Sequence, residues 1–433
     1  MQDPKAYMAV AQTLAAKGIG YDTSDAPRRI DKAVVIGAGT MGTGITMVLA
    51  AAGVTVTLVD KAQSGLDRAR ISAANIWTRS VDRGQIDTAE VDRRLARISF
   101  ATDMADTLAD ADLVIEAVWE QMALKKEIFA RIDALAKPGA LLGTNTSTLD
   151  IDEIAAVTTR PQDVIGLHFF SPAHVMKLVE VVRGKRSSAA SVRDALSLAI
   201  RLGKTPVVVG VCFGFVGNRI FGARENEARS LLLEGAMPQQ VDRVLVEFGF
   251  PMGSFLLQDM SGGIELLWRM NQSKGIRDEL IDRLAELGRF GQKSGRGFYA
   301  YGGDGRTPLP DPEVEAIILQ VSKDAGITRR TISDTEICER LIYPMINEGA
   351  KIVEEGVADR PSDIDVIWSL GYGWPKDKAG PMYFADVIGL PVVRDTLVRL
   401  QAAHGDRFAP APLLEHLARA GGKFTEEGKL AGV

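Results

Sequence analysis

Val34-Val35-Ile36-Gly37-Ala38-Gly39-Thr40-Met41-Gly42-Thr43-Gly44 is the stretch on which the fold turns: an apolar run, three glycines at GxGxxG spacing and the start of a helix, in that order. Gly37 permits a tight turn, Gly39 lets backbone approach a pyrophosphate, and Gly42 lets helix pack closely on strand. The helix N-terminus then offers NH groups and its dipole to the anion. Ala38, Thr40 and Met41 complete the loop. Eighteen residues past Gly42 the next apolar run, Val54 to Val59, ends in Asp60. A carboxylate there accepts both ribose hydroxyls and repels a 2'-phosphate. A glycine triplet alone is more often a turn than a nucleotide site, but strand, helix and acid together point to a crevice for NAD rather than NADP.

Outward from this motif, short β-branched runs alternate with charged helical stretches, as in a parallel α/β sheet. The runs are Ala33 to Ile36, Val54 to Val59, Leu113 to Val118, Ala140 to Thr144 and Val164 to Leu167. Past about Gly210 helical patterns dominate, from Asn218 onward. A weak repeat runs through this part: Glu225-Asn226-Glu227-Ala228 through Glu234-Gly235 is echoed 121 residues later by Ile346-Asn347-Glu348-Gly349 through Glu355-Gly356. Val241-Asp242 and Phe248-Gly249-Phe250-Pro251 are likewise matched by Ile364-Asp365 and Leu370-Gly371-Tyr372-Gly373. The expected organisation is a leader helix and link over 1–30, a Rossmann-type α/β NAD-binding domain over 31–212, a first all-α domain over 213–302, a linker over 303–330 and a second, related all-α domain over 331–433.

At 433 residues and 46% hydrophobic composition the chain exceeds what one core usually supports. A net charge of -5 removes the electrostatic footprint of a nucleic-acid binder. The two cysteines, Cys212 and Cys338, argue against a disulfide framework and fit a reducing compartment. His168, His174, His404 and His416 show no paired spacing on a helix, so no metal site is expected. The leader helix, Asp3 to Ala16, lacks a basic n-region and a long apolar core, and no run approaches the roughly 18 apolar residues of a membrane span. The final Leu430-Ala431-Gly432-Val433 is not a peroxisomal tripeptide of the Ser-Lys-Leu kind. A cytoplasmic or matrix-like soluble protein is expected.

His168 follows Val164-Ile165-Gly166-Leu167, which puts it at the carboxyl end of an expected strand, where ligands of open α/β sheets bind. Taken alone, a histidine there is as often a packed residue as a base. Glu180 lies in the apolar run Lys177-Leu178-Val179-Glu180-Val181-Val182 and needs a partner if buried. A hydrogen bond between the two would fix the imidazole tautomer; an edge strand with an outward-facing glutamate is the alternative.

Gly37-Ala38-Gly39-Thr40-Met41-Gly42, Asn145-Thr146-Ser147-Thr148, His168-Phe169-Phe170-Ser171-Pro172, Leu178-Val179-Glu180, Gly214-Phe215-Val216-Gly217-Asn218-Arg219 and Pro251-Met252-Gly253 together resemble the 3-hydroxyacyl-CoA dehydrogenase family in order and spacing. The resemblance runs from Lys32 to near the end of the chain. It implies that His168 is the general base, that Glu180 orients it, and that Ser147 and Asn218 touch the substrate's oxygen atoms. It implies further cofactor contacts from Glu120, Lys125, Ser147, Ser171 and Lys293. Ser171 stands where many family members have Asn after the two Phe residues, a choice also seen in some multifunctional relatives, and local polar contact near the nicotinamide differs accordingly.

Two helical copies resemble the multifunctional fatty-acid oxidation proteins, in which the second copy takes the place of a partner subunit. A monomer is implied, with a homodimer as the alternative. Those proteins carry an enoyl-CoA hydratase domain ahead of the dinucleotide fold; with residues 1–30 standing there, hydratase activity is not expected of this chain, which fits both a piece of a larger protein and a stand-alone enzyme. The activity implied is NAD-dependent oxidation of a (3S)-3-hydroxyacyl-CoA to the 3-ketoacyl-CoA. Two rivals stay open: another β-hydroxyacid dehydrogenase, which relies on a lysine base, and a non-catalytic NAD-binding protein of the lens-crystallin kind. Arg68, Arg70, Arg79 and Arg83 offer guanidinium groups for CoA phosphates, but Asp67 and Asp82 among them favour a solvated helix with internal ion pairs.

Overall fold

The structure is a computed structural model that describes residues 3–21 and 26–426. Leu430 to Val433, and Asp22, Ser24 and Asp25 of the expected link, lie outside the described residues. After helix α1 (Pro4–Lys17), the chain alternates strand and helix through β1 (Lys32–Ile36), α2 (Thr40–Ala51), β2 (Thr55–Val59), α3 (Gln63–Asp82), α4 (Thr88–Leu95), β3 (Ile98–Ala101), β4 (Leu113–Glu116), α5 (Met122–Leu135), β5 (Leu141–Thr144), α6 (Ile151–Ala155), β6 (Val164–Phe169), β7 (Leu178–Arg183), α7 (Ala189–Arg201) and β8 (Thr205–Gly210). One eight-stranded sheet results, in the order β3-β2-β1-β4-β5-β6-β7-β8. Strand order reverses direction from β1, between β2 and β4, which opens the crevice at the carboxyl ends of the strands where α/β sheets bind ligands. Val34 and Ile36 bury on one face of the sheet, Ala33 and Val35 on the other.

Within this sheet all strand pairs are parallel except β6 with β7. Only eight residues, 170–177, join these two, too few for a parallel crossover, so the chain must double back. That reversal sets the register Leu167↔Val181, His168↔Glu180 and Phe169↔Val179.

The helical part comprises α8 (Gly217–Glu234), α9 (Pro238–Phe248), α10 (Ser254–Ser261), α11 (Gly263–Lys274) and α12 (Glu279–Glu286), then α13 (Pro312–Asp324), and a second group of α14 (Asp334–Glu354), α15 (Pro361–Gly371), α16 (Pro381–Ile388), α17 (Leu390–His404) and α18 (Pro412–Ala420). The stretch read as a linker over 303–330 contains α13, which packs on α8 and α12. Arg340 of α14 is fully buried against Glu227 and Glu234 of α8, tying the two groups together.

Both copies use the same carboxylate clamp. Asp242 accepts from the amides of Phe255 and Leu256 at the start of α10, and Asp365 accepts from those of Met382 and Tyr383 at the start of α16. Asp259 accepts from Phe298 and Tyr299, and Asp386 from Phe424 and Thr425. Each first clamp also takes a phenol: Tyr299 gives its hydroxyl to Asp242 at 2.8 Å, but Thr425 stands at the matching position in the second copy, and Tyr7 of α1 gives its hydroxyl to Asp365 at 2.7 Å. The expected leader helix is therefore built into the body, packed on α15 and β8. No described helix is long and apolar enough to cross a membrane.

Candidate active site

The glycine loop does what its spacing predicts. Gly37 holds a φ of 108°, and a Cβ there would lie 2.6 Å from the Ala117 carbonyl. A Cβ on Gly42 would lie 1.8 Å from the Gly37 oxygen, so α2 can sit on β1 only without a side chain at this point. Around Gly39 there is open space, with no atom within 4 Å of where a Cβ would be, and α2 starts there without a side-chain cap. Uncapped amides at a helix start with no side chain over them suit a pyrophosphate. At the end of β2 the Asp60 carboxylate accepts from the amides of Ala38 at 2.8 Å and Ala62 at 2.9 Å, which holds it beside the loop. Ala38 lies in the turn and Thr40 and Met41 open α2, and the residues present fit NAD.

Farther along the sheet edge, His168 Nδ1 lies 2.7 Å from Glu180 Oε2 across the antiparallel pair. His168 is 6% exposed and Glu180 0%, so the carboxylate is paid for only by its partners. Its other oxygen accepts from the amide of Gly217 at 3.0 Å, at the start of α8. With Nδ1 donating to the carboxylate, Nε2 is the nitrogen left to take a proton. The rings of Phe170 and Phe215 flank the imidazole at 4.6 and 5.8 Å between centroids. Phe215 holds a φ of 49°, and this left-handed turn delivers its ring there.

A second cluster forms where β4 and β5 end. Glu120 Oε1 accepts from Thr146 Oγ1 at 2.6 Å, from the Ser147 amide at 2.8 Å and from Ser147 Oγ at 3.2 Å. Burial works against this carboxylate, but Lys125 and the Thr146 and Ser147 hydrogen bonds hold its pKa below the usual range. Lys125, expected at the cofactor, lies next to this carboxylate. It is 1% exposed, 2.7 Å from Glu116 and 3.3 Å from Glu120, so it stands behind Glu120. Asn218 Nδ2 donates to the Ser147 carbonyl at 3.4 Å, bringing α8 to the Ser147 loop, and Asn145 Oδ1 accepts from the Phe169 amide next to the base. Ser171 is exposed on the loop after β6. Lys293 sits in the helical part, where its ammonium pairs with Glu265 of α11.

Sequence reasoning singled out neither Glu116 nor Tyr372. Glu116 ends an apolar strand, where a charge signals a buried partner; it binds Lys125 and accepts from Thr144 Oγ1 at 2.7 Å. Tyr372 was visible only as one half of the repeat.

Comparison with known proteins follows the same division of the chain. Residues 32–212 match the profile of the 3-hydroxyacyl-CoA dehydrogenase NAD-binding domain, and 214–301 and 337–430 match that of the family's C-terminal domain. The peroxisomal bifunctional enzyme of Danio rerio is 41% identical over 416 residues, 91% of this chain and 57% of that protein. The protein of the same name from Homo sapiens is 40% identical, over 96% of this chain and 60% of its own length. The chain thus spans somewhat over half the length of these relatives. Among solved structures, the Escherichia coli 3-hydroxybutyryl-CoA dehydrogenase superposes with a TM-score of 0.79 at 28% identity, covering 91% of this chain and 99% of that one. The dehydrogenase part of the C. elegans multifunctional enzyme 1 gives 0.68 at 30% identity, covering 96% and 97%. With its NAD-binding domain and both helical copies matched, this chain belongs to the 3-hydroxyacyl-CoA dehydrogenase family.

Proposed function

We propose that the chain oxidises the 3-hydroxyl of a (3S)-3-hydroxyacyl-CoA to the ketone, as in fatty-acid β-oxidation. The observation that carries this reading is the buried His168–Glu180 pair at the carboxyl end of β6, the same end of the sheet on which the glycine loop follows β1. Gly37 to Gly42, Asp60 and Glu120 would hold NAD, with Lys125 bracing Glu120. When bound, NAD supplies the hydride acceptor. His168 Nε2 takes the hydroxyl proton while the C3 hydride departs and the C3–O bond becomes a carbonyl. Glu180 keeps the imidazole in the tautomer that can accept, and stabilises it once charged. Ser147 and Asn218 donate to the oxygen of the forming ketone. A histidine base with its carboxylate favours this reading over a lysine-based β-hydroxyacid dehydrogenase.

The second helical group covers α8 of the first through the Arg340 contacts, which supports a monomer; sizing in solution separates this from a homodimer. A reducing, cytoplasm-like compartment is part of the same reading, supported by the free thiols Cys212 and Cys338.

The test is NADH formation from NAD with 3-hydroxybutyryl-CoA and a longer 3-hydroxyacyl-CoA. His168→Ala should lower kcat by roughly 10²–10⁴-fold, the usual share of a general base, with NAD still bound. NAD binding without turnover in the wild type would count for a non-catalytic NAD-binding protein instead.

A further inference from the structure

We propose that Tyr372, from the second helical copy, is a positioning residue of the active site that sets the direction of the Asn218 amide. This rests on the dehydrogenase reading above. The Tyr372 hydroxyl donates to Asn218 Oδ1 at 2.7 Å, although 154 residues separate them in the chain. An amide side chain can present either end, and only Nδ2 can donate to a substrate oxygen. By occupying Oδ1, the phenol turns Nδ2 toward the Ser147 carbonyl, 3.4 Å away, on the side where Ser147 lies.

The surroundings hold the phenol to this task. Its ring stacks on Trp368 at 4.6 Å and meets Phe170 edge-on at 5.5 Å, and Phe170 in turn lies against His168. A Cβ on Gly217 would come within 2.4 Å of the ring and 2.5 Å of the hydroxyl, so the approach to Asn218 exists because position 217 has no side chain. The same Gly217 gives its amide to Glu180, which places base, orienting carboxylate and Asn218 around one helix start. Burial, with Glu180 nearby, holds the phenol well above its usual pKa, so it keeps its proton and donates.

Tyr372→Phe keeps the ring stack and removes one hydrogen bond. Its kcat with 3-hydroxybutyryl-CoA should fall by roughly 2- to 13-fold, the usual weight of one such bond, with the KM for NAD little changed and the thermal midpoint lowered by no more than a few degrees. In an Asn218→Ala background the same substitution should change kcat no further. Equal losses in both backgrounds, or an unchanged kcat for Tyr372→Phe alone, would overturn the proposal and leave the dehydrogenase reading standing. A wild type that binds NAD but turns over no 3-hydroxyacyl-CoA would overturn both.

Discussion

Glu180 has both oxygens committed, one to the His168 ring and one to the Gly217 amide, and no water-facing surface to fall back on. Glu180→Gln keeps the shape but gives the imidazole a neutral partner that also offers a donor. Turnover should fall by about 10²–10⁴-fold while NAD affinity, set at the separate Asp60 crevice, stays as it was. Parallel turnover assays and NAD titrations check the split; an equal loss of NAD binding would mean that the substitution disturbed the whole sheet edge. This pair was legible because a lone charge in an apolar run and a histidine at a strand end are both anomalies. The burial of Lys125 was not, since a lysine early in a helix reads as solvated until its neighbours are known. Nor was Tyr372, whose partner lies 154 residues away, and local pattern carries no record of such distance.

Among the elements, α1 was recognisable as a helix, but not as a structural member. Its four buried residues, Tyr7, Met8, Ala11 and Ala15, share one face, and that face packs on the second helical copy and β8. Tyr7→Phe removes a buried hydrogen bond and leaves an acceptor of Asp365 short of a donor, which costs about 0.5–1.5 kcal/mol and more if the carboxylate is charged. The thermal midpoint should drop by a few degrees, with kcat unaffected; no drop would show that the clamp tolerates the loss. Strands β3 and β8 were absent from the expected runs for opposite reasons. Ile98–Ala101 is a half-exposed edge with little apolar contrast, whereas Thr205–Gly210 opens on Pro206, a residue that argues against a strand unless it sits near an end, as here.

For the whole molecule, the clamps couple stability to pH. Burial pushes the carboxyl of Asp365 up to about 7, and those of Asp242 and Asp259 up to about 6. A raised folded pKa means that the native state holds the proton more tightly than the unfolded chain, whose aspartates titrate near 3.9. The contribution is complete below that value and is lost as pH rises through about 6 and 7. Glu336 and Glu355, held low by Arg330 and Arg219, act in the opposite sense, losing their contribution only in acid. Denaturant midpoints should therefore decline between about pH 4 and pH 7, and Asp365→Asn should flatten part of that decline. A profile unaltered by the substitution would place the titration elsewhere. The tyrosine on Asp365, at the first clamp of the second copy, also constrains ancestry. If the helical copies arose from one unit, a phenol at position 425 could be exchanged for threonine without damage only where Tyr7 already served Asp365. The two sites are then bound by epistasis across the length of the chain, and the order in which their substitutions were fixed is written into the fold.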